Sequence, residues 1–304
     1  TLPDGTKADG SVEYKGTTSS DGANKPATEV SVPSTVTASD GSTYVITKIA
    51  DEAFEGQEQL VKVAIPETVV EIGERAFANT SLENVVIPAA TTVLGTGVFQ
   101  GCGDLKFVDI SKAAIMEIPA DAFNGAAISS IEIPTAVTNV GARAFKGTAI
   151  TSVELPEAVK TIERSTFEGC AQLESIRTSA AVIGYKALSG CTALRGVDFS
   201  KATEIGKYAF KGDSGLRTVS TGAKLKTLGY KALAGTKVKV LSIKSKKLTE
   251  KSVKGSLKDS SVKKIEVAIS GNKKTVSKYV AKYKKIFKKS NSGRSVEVVA
   301  KKTK

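Results

Sequence analysis

The chain contains no histidine, and so lacks the side chain that most often serves as a general base near neutral pH and as a transition-metal ligand. Carboxylates, lysines and thiols remain. Three acids stand out by spacing: Asp109, Glu132 and Glu154, separated by 23 and 22 residues. Each sits between two apolar residues of an alternating stretch (Val108 and Ile110, Ile131 and Ile133, Val153 and Leu155), so each should point outward from a half-buried strand. If the chain coils once per interval, the three carboxylates become neighbouring rungs ~4.8 Å apart. Adjacent like charges on a sheet oppose folding by a few tenths of a kcal/mol or more, so the ladder invites a functional reading as an anionic stripe for a basic protein surface. Arg177 and Asp198 continue the same column, and Phe107 stands in the column beside it. These six residues are the candidate partner-binding set. The competing reading is that the charges only solvate the sheet. A calcium site would need several oxygens converging, which a flat ladder supplies poorly.

The thiols point to packing. Cys102, Cys170 and Cys191 each follow a Phe or Leu (Phe99, Phe167, Leu188) by three residues. That placement fits a small buried apolar side chain at one structural position. An odd count without a Cys-x-x-Cys pair argues against a disulfide framework or a zinc site, although Cys170 and Cys191 would come within reach of each other if their coils stack. Gly95-Thr-Gly97 and Ser261-Val-Lys-Lys264 resemble a phosphate loop and a Ser-x-x-Lys pair only in outline. No βαβ unit surrounds the first, and a lysine-rich region produces the second. No catalytic set, cofactor or metal is expected, and the chain reads as non-enzymatic.

The elements that would position these residues are repeats. Phe54, Phe77, Phe99, Phe123, Phe145, Phe167, Leu188, Phe210 and Leu233 recur at steps of 21 to 24 residues, the signature of a stacked-coil solenoid. In each copy an alternating stretch such as Val85-Val-Ile87 predicts a strand. Proline ends it at Pro33, Pro66, Pro88, Pro134 and Pro156, because proline cannot donate to a continuing ladder. A second short apolar stretch follows (Val69 to Ile72, Val137 to Val140), often closed by glycine, and then an Ala-Phe pair that reads as one turn of helix. Two residues after the Phe or Leu stand eight glycines and Asn79, the substitution pattern of a left-handed backbone position. Val253 with Gly255 reads as a worn tenth copy, ahead of a strand over Val262 to Ile269.

The pattern Leu-x-x-Val-x-Ile-Pro-x-x-Val-x-x-Ile-Gly-x-x-Ala-Phe-x-Gly-Cys/Thr, followed closely by Leu60 to Gly73 and Ile150 to Gly169, resembles the BspA-like class of bacterial leucine-rich repeats. The resemblance implies a curved right-handed leucine-rich-repeat solenoid, α/β and strand-dominated, with about nine to ten repeats and terminal caps. It also implies an exported or cell-surface protein, of a class often described as adhesins or host-protein binders.

Three regions follow: an N-terminal cap over 1–48, repeats over 49–245, and a degenerate repeat with a basic cap over 246–304. In the first, Val12 to Tyr14, Glu29 to Pro33 and Tyr44 to Ile49 read as strands, with Asp40-Gly41 turning between the last two. In the last, Val276, Tyr279, Val280, Tyr283, Ile286 and Phe287 fall at helical spacing, predicting a helix from about Lys274 to Lys289, then a strand over Ser295 to Val299. From Ala223 to Lys304 there are 25 Lys or Arg against 4 acids, whereas the other 222 residues carry a net −8. A terminal module of that sign would attract polyanions, such as an anionic envelope polymer. Nucleic acid is not expected, since the aromatic positions are mostly claimed by the core. No stretch is long and apolar enough to span a membrane, and any export signal would lie outside the given sequence. The expectation is a secreted or surface solenoid holding a protein or glycan on its strand-lined face. The alternative is a passive spacer without a ligand of its own.

Overall fold

A chain that completes one coil per repeat re-enters its sheet in the same direction each time, so its strands pair in parallel. The computed structural model, which describes residues 11–14 and 28–301, is built this way in two compact units divided between Ile150 and Thr151. In the first unit the strands Glu29–Ser31, Lys62–Ala64, Asn84–Val86 and Phe107–Asp109 form one parallel sheet. A second sheet contains Ser11–Tyr14, Thr43–Ile49, Glu71–Ile72 and Val93–Leu94. In the second unit Ser152–Glu154 pairs with Ser175–Arg177, and Gly196–Phe199 opens a five-stranded parallel sheet. That sheet continues through Thr218–Thr221, Val240–Ile243 and Lys264–Val267 to the closing strand Glu297–Ala300. The fold is a strand-dominated repeat solenoid.

The predicted register holds within each unit: Lys62 stands beside Asn84 and Asn84 beside Phe107, while Val86 stands beside Asp109. Asp198 stands beside Ser220, Ser220 beside Ser242, and Ser242 beside Glu266. All nine repeating Phe and Leu side chains are fully buried. In the first unit they stack as a ladder, with ring centroids 5.1 Å apart for Phe54 and Phe77 and 5.8 Å for Phe99 and Phe123. Among the described residues Tyr14 extends the ladder, 5.7 Å from Phe54.

The Ala-Phe segment is not a helical turn. Two positions in each copy are left-handed, not one. The glycines after the Phe have φ from +71° at Gly56 to +86° at Gly190, as expected. The residue two before the Phe is also left-handed, and here it is rarely glycine: Glu52, Arg75, Asp121, Arg143, Ser165, Lys186, Tyr208 and Lys231 have φ between 51° and 60°. Such a conformation costs a side chain roughly 1–2 kcal/mol. It is held because alternate N–H groups then point along the coil axis. Glu52 donates to the Glu74 carbonyl at 2.7 Å, Phe54 to Ala76 at 2.8 Å, and Gly56 to Ala78 at 2.8 Å. The N–H groups between them bond locally, Glu55 to the Glu52 carbonyl and Gln57 to Phe54. A helix would direct every N–H back into its own turn and leave the next coil without a partner.

The second glycine column has a different cause. Gly95 is not left-handed, but a Cβ there would lie 2.2 Å from the Glu74 nitrogen of the preceding coil, so only glycine permits the approach.

Four further expectations shift. Residues 129–134 form no strand although Ile133 is buried. Apolar alternation reports which side chains turn inward, whereas a ladder also needs neighbouring N–H and C=O groups in range. The tenth copy is centred on Leu257, not Val253: Gly255 and Asp259 are its left-handed pair, with φ 64° and 60°, and Ser260 donates to the Leu257 carbonyl. The Asp40-Gly41 turn joins Thr35–Thr37 to Thr43–Ile49, an antiparallel pair. The terminal helix runs Lys273–Ile286, capped by the Asn272 side chain accepting from the Thr275 N–H. A short second helix, Lys289–Ser292, follows it.

Candidate functional site

The candidate residues fall in both units. In the first, the outward columns of the four-stranded sheet read Glu29, Lys62, Asn84, Phe107 and Ser31, Ala64, Val86, Asp109. Strand pleating turns Val63, Val85 and Val108 into the core and leaves these in solvent. Val86 is 61% exposed and Phe107 47% exposed, diagonal to each other on adjacent strands, where Val86 faces Asp109 and Phe107 faces Asn84. A groove of about 570 Å³ runs over the same face beside Val61, Ala64, Val86 and Pro88. Two large apolar side chains are thus exposed on one sheet.

Asp109 on this face is already engaged. Its carboxylate accepts from the Ser111 N–H at 2.9 Å and the Ser111 hydroxyl at 2.7 Å. The hydroxyl bond, above all, holds it below the usual carboxylate range. Asp198, one residue before the end of its strand, accepts from the Ser200 N–H at 2.9 Å. Both acids therefore sit in Asp-x-Ser turns at strand ends. Glu132 is exposed on the non-strand segment 129–134. In the second unit Glu154 faces Arg177 across the ladder, 3.5 Å apart with both side chains exposed. The like-charge stripe is thus divided: Asp109 serves a turn and Glu154 has a cation beside it.

A second outward row lies along the left-handed turns. Arg143 bonds the Asp121 carboxylate of the previous coil at 2.6 and 2.8 Å, and Arg75 holds Glu55 likewise. In the second unit Lys186 pairs with Glu168 at 2.7 Å and Lys231 with Asp259 at 2.7 Å. The same row carries three tyrosines, Tyr185, Tyr208 and Tyr230, in edge-to-face contact at 5.8 and 5.6 Å. Arg164 and Lys186 lie over the Tyr185 ring, Lys211 over Tyr208 and Lys231 over Tyr230, each 5.7 to 5.8 Å from the centroid. Sequence reasoning passed over these rings, although their steps of 23 and 22 residues carried the signal.

The basic end is anchored through Tyr283, which is fully buried. Its hydroxyl donates to the Ser245 carbonyl, and burial pushes its phenol up. Among the described residues no group of three or more Cys, Asp or Glu could hold a metal ion, and no helix is long and apolar enough to cross a membrane. The three cysteines are buried and unbridged. One buried acid is unusual. Asp213 occupies the cysteine column, accepting from the Gly190 and Cys191 N–H groups at 2.8 and 3.0 Å. Its second oxygen has no partner, and burial pushes the carboxyl up to about 8. It lies inside the coil stack with zero exposure.

Residues 41–149 and 138–258 match the family described as BspA type Leucine rich repeat region, in six copies. Among solved structures, a leucine rich cell surface protein from Faecalibacterium prausnitzii A2-165 is 20% identical, covering 99% of this chain and 94% of that one with a TM-score of 0.51. The pneumococcal vaccine antigen PcpA is 16% identical, covering 92% and 91% with a TM-score of 0.50. At these identities the likeness is one of fold. No curated protein matches the sequence.

Proposed function

Because the chain belongs to the BspA-type leucine-rich repeat family, we propose that it is a secreted or cell-surface protein that holds a protein partner on the strand-lined face of its first unit. The observation that carries this reading is the exposed Val86 and Phe107 pair on adjacent strands, beside a groove. A solvated sheet with no partner has no need of a Val 61% exposed beside a Phe 47% exposed. In this reading the apolar pair supplies affinity, with Asp109 beside it. The charged set Glu132, Glu154, Arg177 and Asp198 acts on encounter rate, as exposed charges do. The chain is read as a binding protein, not an enzyme.

The test is to immobilise the protein and measure binding of purified extracellular-matrix proteins by surface plasmon resonance. Val86→Glu with Phe107→Glu should weaken a ligand by about ten-fold or more, the loss expected at a buried interface anchor. Charge reversal of Asp109, Glu132 and Glu154 should change the association rate more than the dissociation rate. Equal capture of every ligand by the apolar double variant would leave the face without a role and favour a passive spacer.

A further inference from the structure

In the second unit a cleft of about 470 Å³ opens beside Tyr230, lined also by Lys207, Lys251, Lys254, Ser252 and Asn291. A second concavity of the basic end, of about 380 Å³, is also lined by lysines (Lys284, Lys288, Lys289) but has no tyrosine in its wall. In the larger cleft three lysines and an aromatic ring line one concavity, with Ser252 and Asn291 at its wall. Lys231 and Lys288 have carboxylates beside them, Asp259 and Glu250. Among the described residues none lies within ion-pairing distance of Lys207, Lys251 or Lys254. Those three exposed cations are unmatched inside the fold.

The backbone has been fitted to the ring. A Cβ on Gly255, itself left-handed, would lie 2.4 Å from the Tyr230 ring, so glycine lets the last coil close against the tyrosine. From the cleft the aromatic row continues to Tyr208 and Tyr185, with Lys211 and Arg164 along it. A ligand that fills the cleft can therefore extend over further coils and meet a cation again on the way.

We propose that this cleft and the tyrosine row leading from it bind an anionic polysaccharide, one bearing carboxylate or sulfate groups. The lysines would neutralise the acid groups. The aromatic faces, negative at their centres, attract the C–H-rich faces of sugar rings as they attract other positive edges. A sugar hydroxyl would donate to the side-chain oxygen of Asn291, whose amide N–H groups are already held by the Glu250 and Ile286 carbonyls. A nucleic-acid strand fits less well, because its successive bases lie parallel and need parallel platforms. Here neighbouring tyrosine planes meet at 86° and 85°. The site is separate from the apolar face assigned to a protein partner, and neither reading depends on the other.

The experiment uses the full chain at physiological ionic strength, with heparin and polygalacturonate as sulfated and carboxylated probes and polyphosphate and oligo-dT as comparison polyanions. Tyr230→Leu keeps the bulk and removes the aromatic face, and a second variant replaces Lys207, Lys251 and Lys254 by Gln. A control removes the same charge from Lys273, Lys274 and Lys278, all exposed on the terminal helix. At least one saccharide probe should bind, and each cleft variant should weaken it by about ten-fold while the helix control changes it little and all variants keep the wild-type circular dichroism spectrum. Equal losses in cleft and helix variants would reduce the effect to net charge and overturn the proposal. So would tyrosine-independent binding, tighter binding of polyphosphate or oligo-dT than of either saccharide, or no saccharide binding at all.

Discussion

Replacing Asp213 by asparagine should make the protein more stable at alkaline pH and barely change it in mild acid. The carboxyl is shielded from water, and two backbone N–H groups bond one of its oxygens while the other has no partner. Two neutral donors do not offset the cost of burying the charge, so the acid is pushed from 3.8 up to about 8. In the unfolded chain it ionises near its ordinary value. Between those limits the folded protein retains a proton that the unfolded chain has released, so unfolding becomes easier as pH rises. The loss amounts to about 1.4 kcal/mol per pH unit, on the order of 5 kcal/mol by pH 8, and levels off above that. Asparagine keeps the oxygen that accepts from Gly190 and Cys191 and removes the ionisation. Its amide N–H groups inherit the unmatched position, a cost of about 1–3 kcal/mol. The variant should therefore be equal or slightly weaker near pH 5 and stronger by several kcal/mol near pH 9. Urea unfolding of both proteins at the two pH values, followed by circular dichroism, measures this, and the difference between proteins cancels every other titrating group. A wild-type-to-variant difference that is the same at both pH values would refute the argument, because it would mean that Asp213 is ionised or hydrated in the fold.

The two glycine columns should respond differently to alanine. Gly95→Ala forces a methyl into the Glu74 backbone and should cost on the order of 3 kcal/mol with visible local rearrangement. Gly190→Ala meets only ordinary contact with Gly169 at 3.4 Å, so it should cost about 1–2 kcal/mol from its positive φ alone. Thermal melts of the two variants rank them. Tyr283→Phe leaves the buried Ser245 carbonyl without its phenol donor and should cost about 1–3 kcal/mol. Hydrogen exchange should show the loss first in the helix Lys273–Ile286 that this bond anchors.

Phe54 to Leu233 and the glycines two residues later were readable without coordinates, because a periodic core and a positive φ each restrict residue type. The neighbouring left-handed column was not. Glu52, Arg75, Asp121 and Lys231 are charged residue types with no preference for a positive φ, and their conformation is imposed by N–H bonds to the next coil. The helical turn expected at Ala-Phe failed for the same reason. Ile131 and Ile133 correctly announced an inward face, but alternation does not specify a ladder, and Glu132 lies off the strands.

Residue types and their interval thus determined the coil, its inward side chains and the columns that face solvent, since those follow from one backbone turn repeated. The stacking of coils decided which charges are spent: Glu154 beside Arg177, Lys231 on Asp259. It also decided which stand free, as Lys207, Lys251 and Lys254 do around Tyr230. Ion pairing and ring contact act over a few ångströms, between residues that the chain separates by twenty or more positions, so they exist only once the coils are laid together.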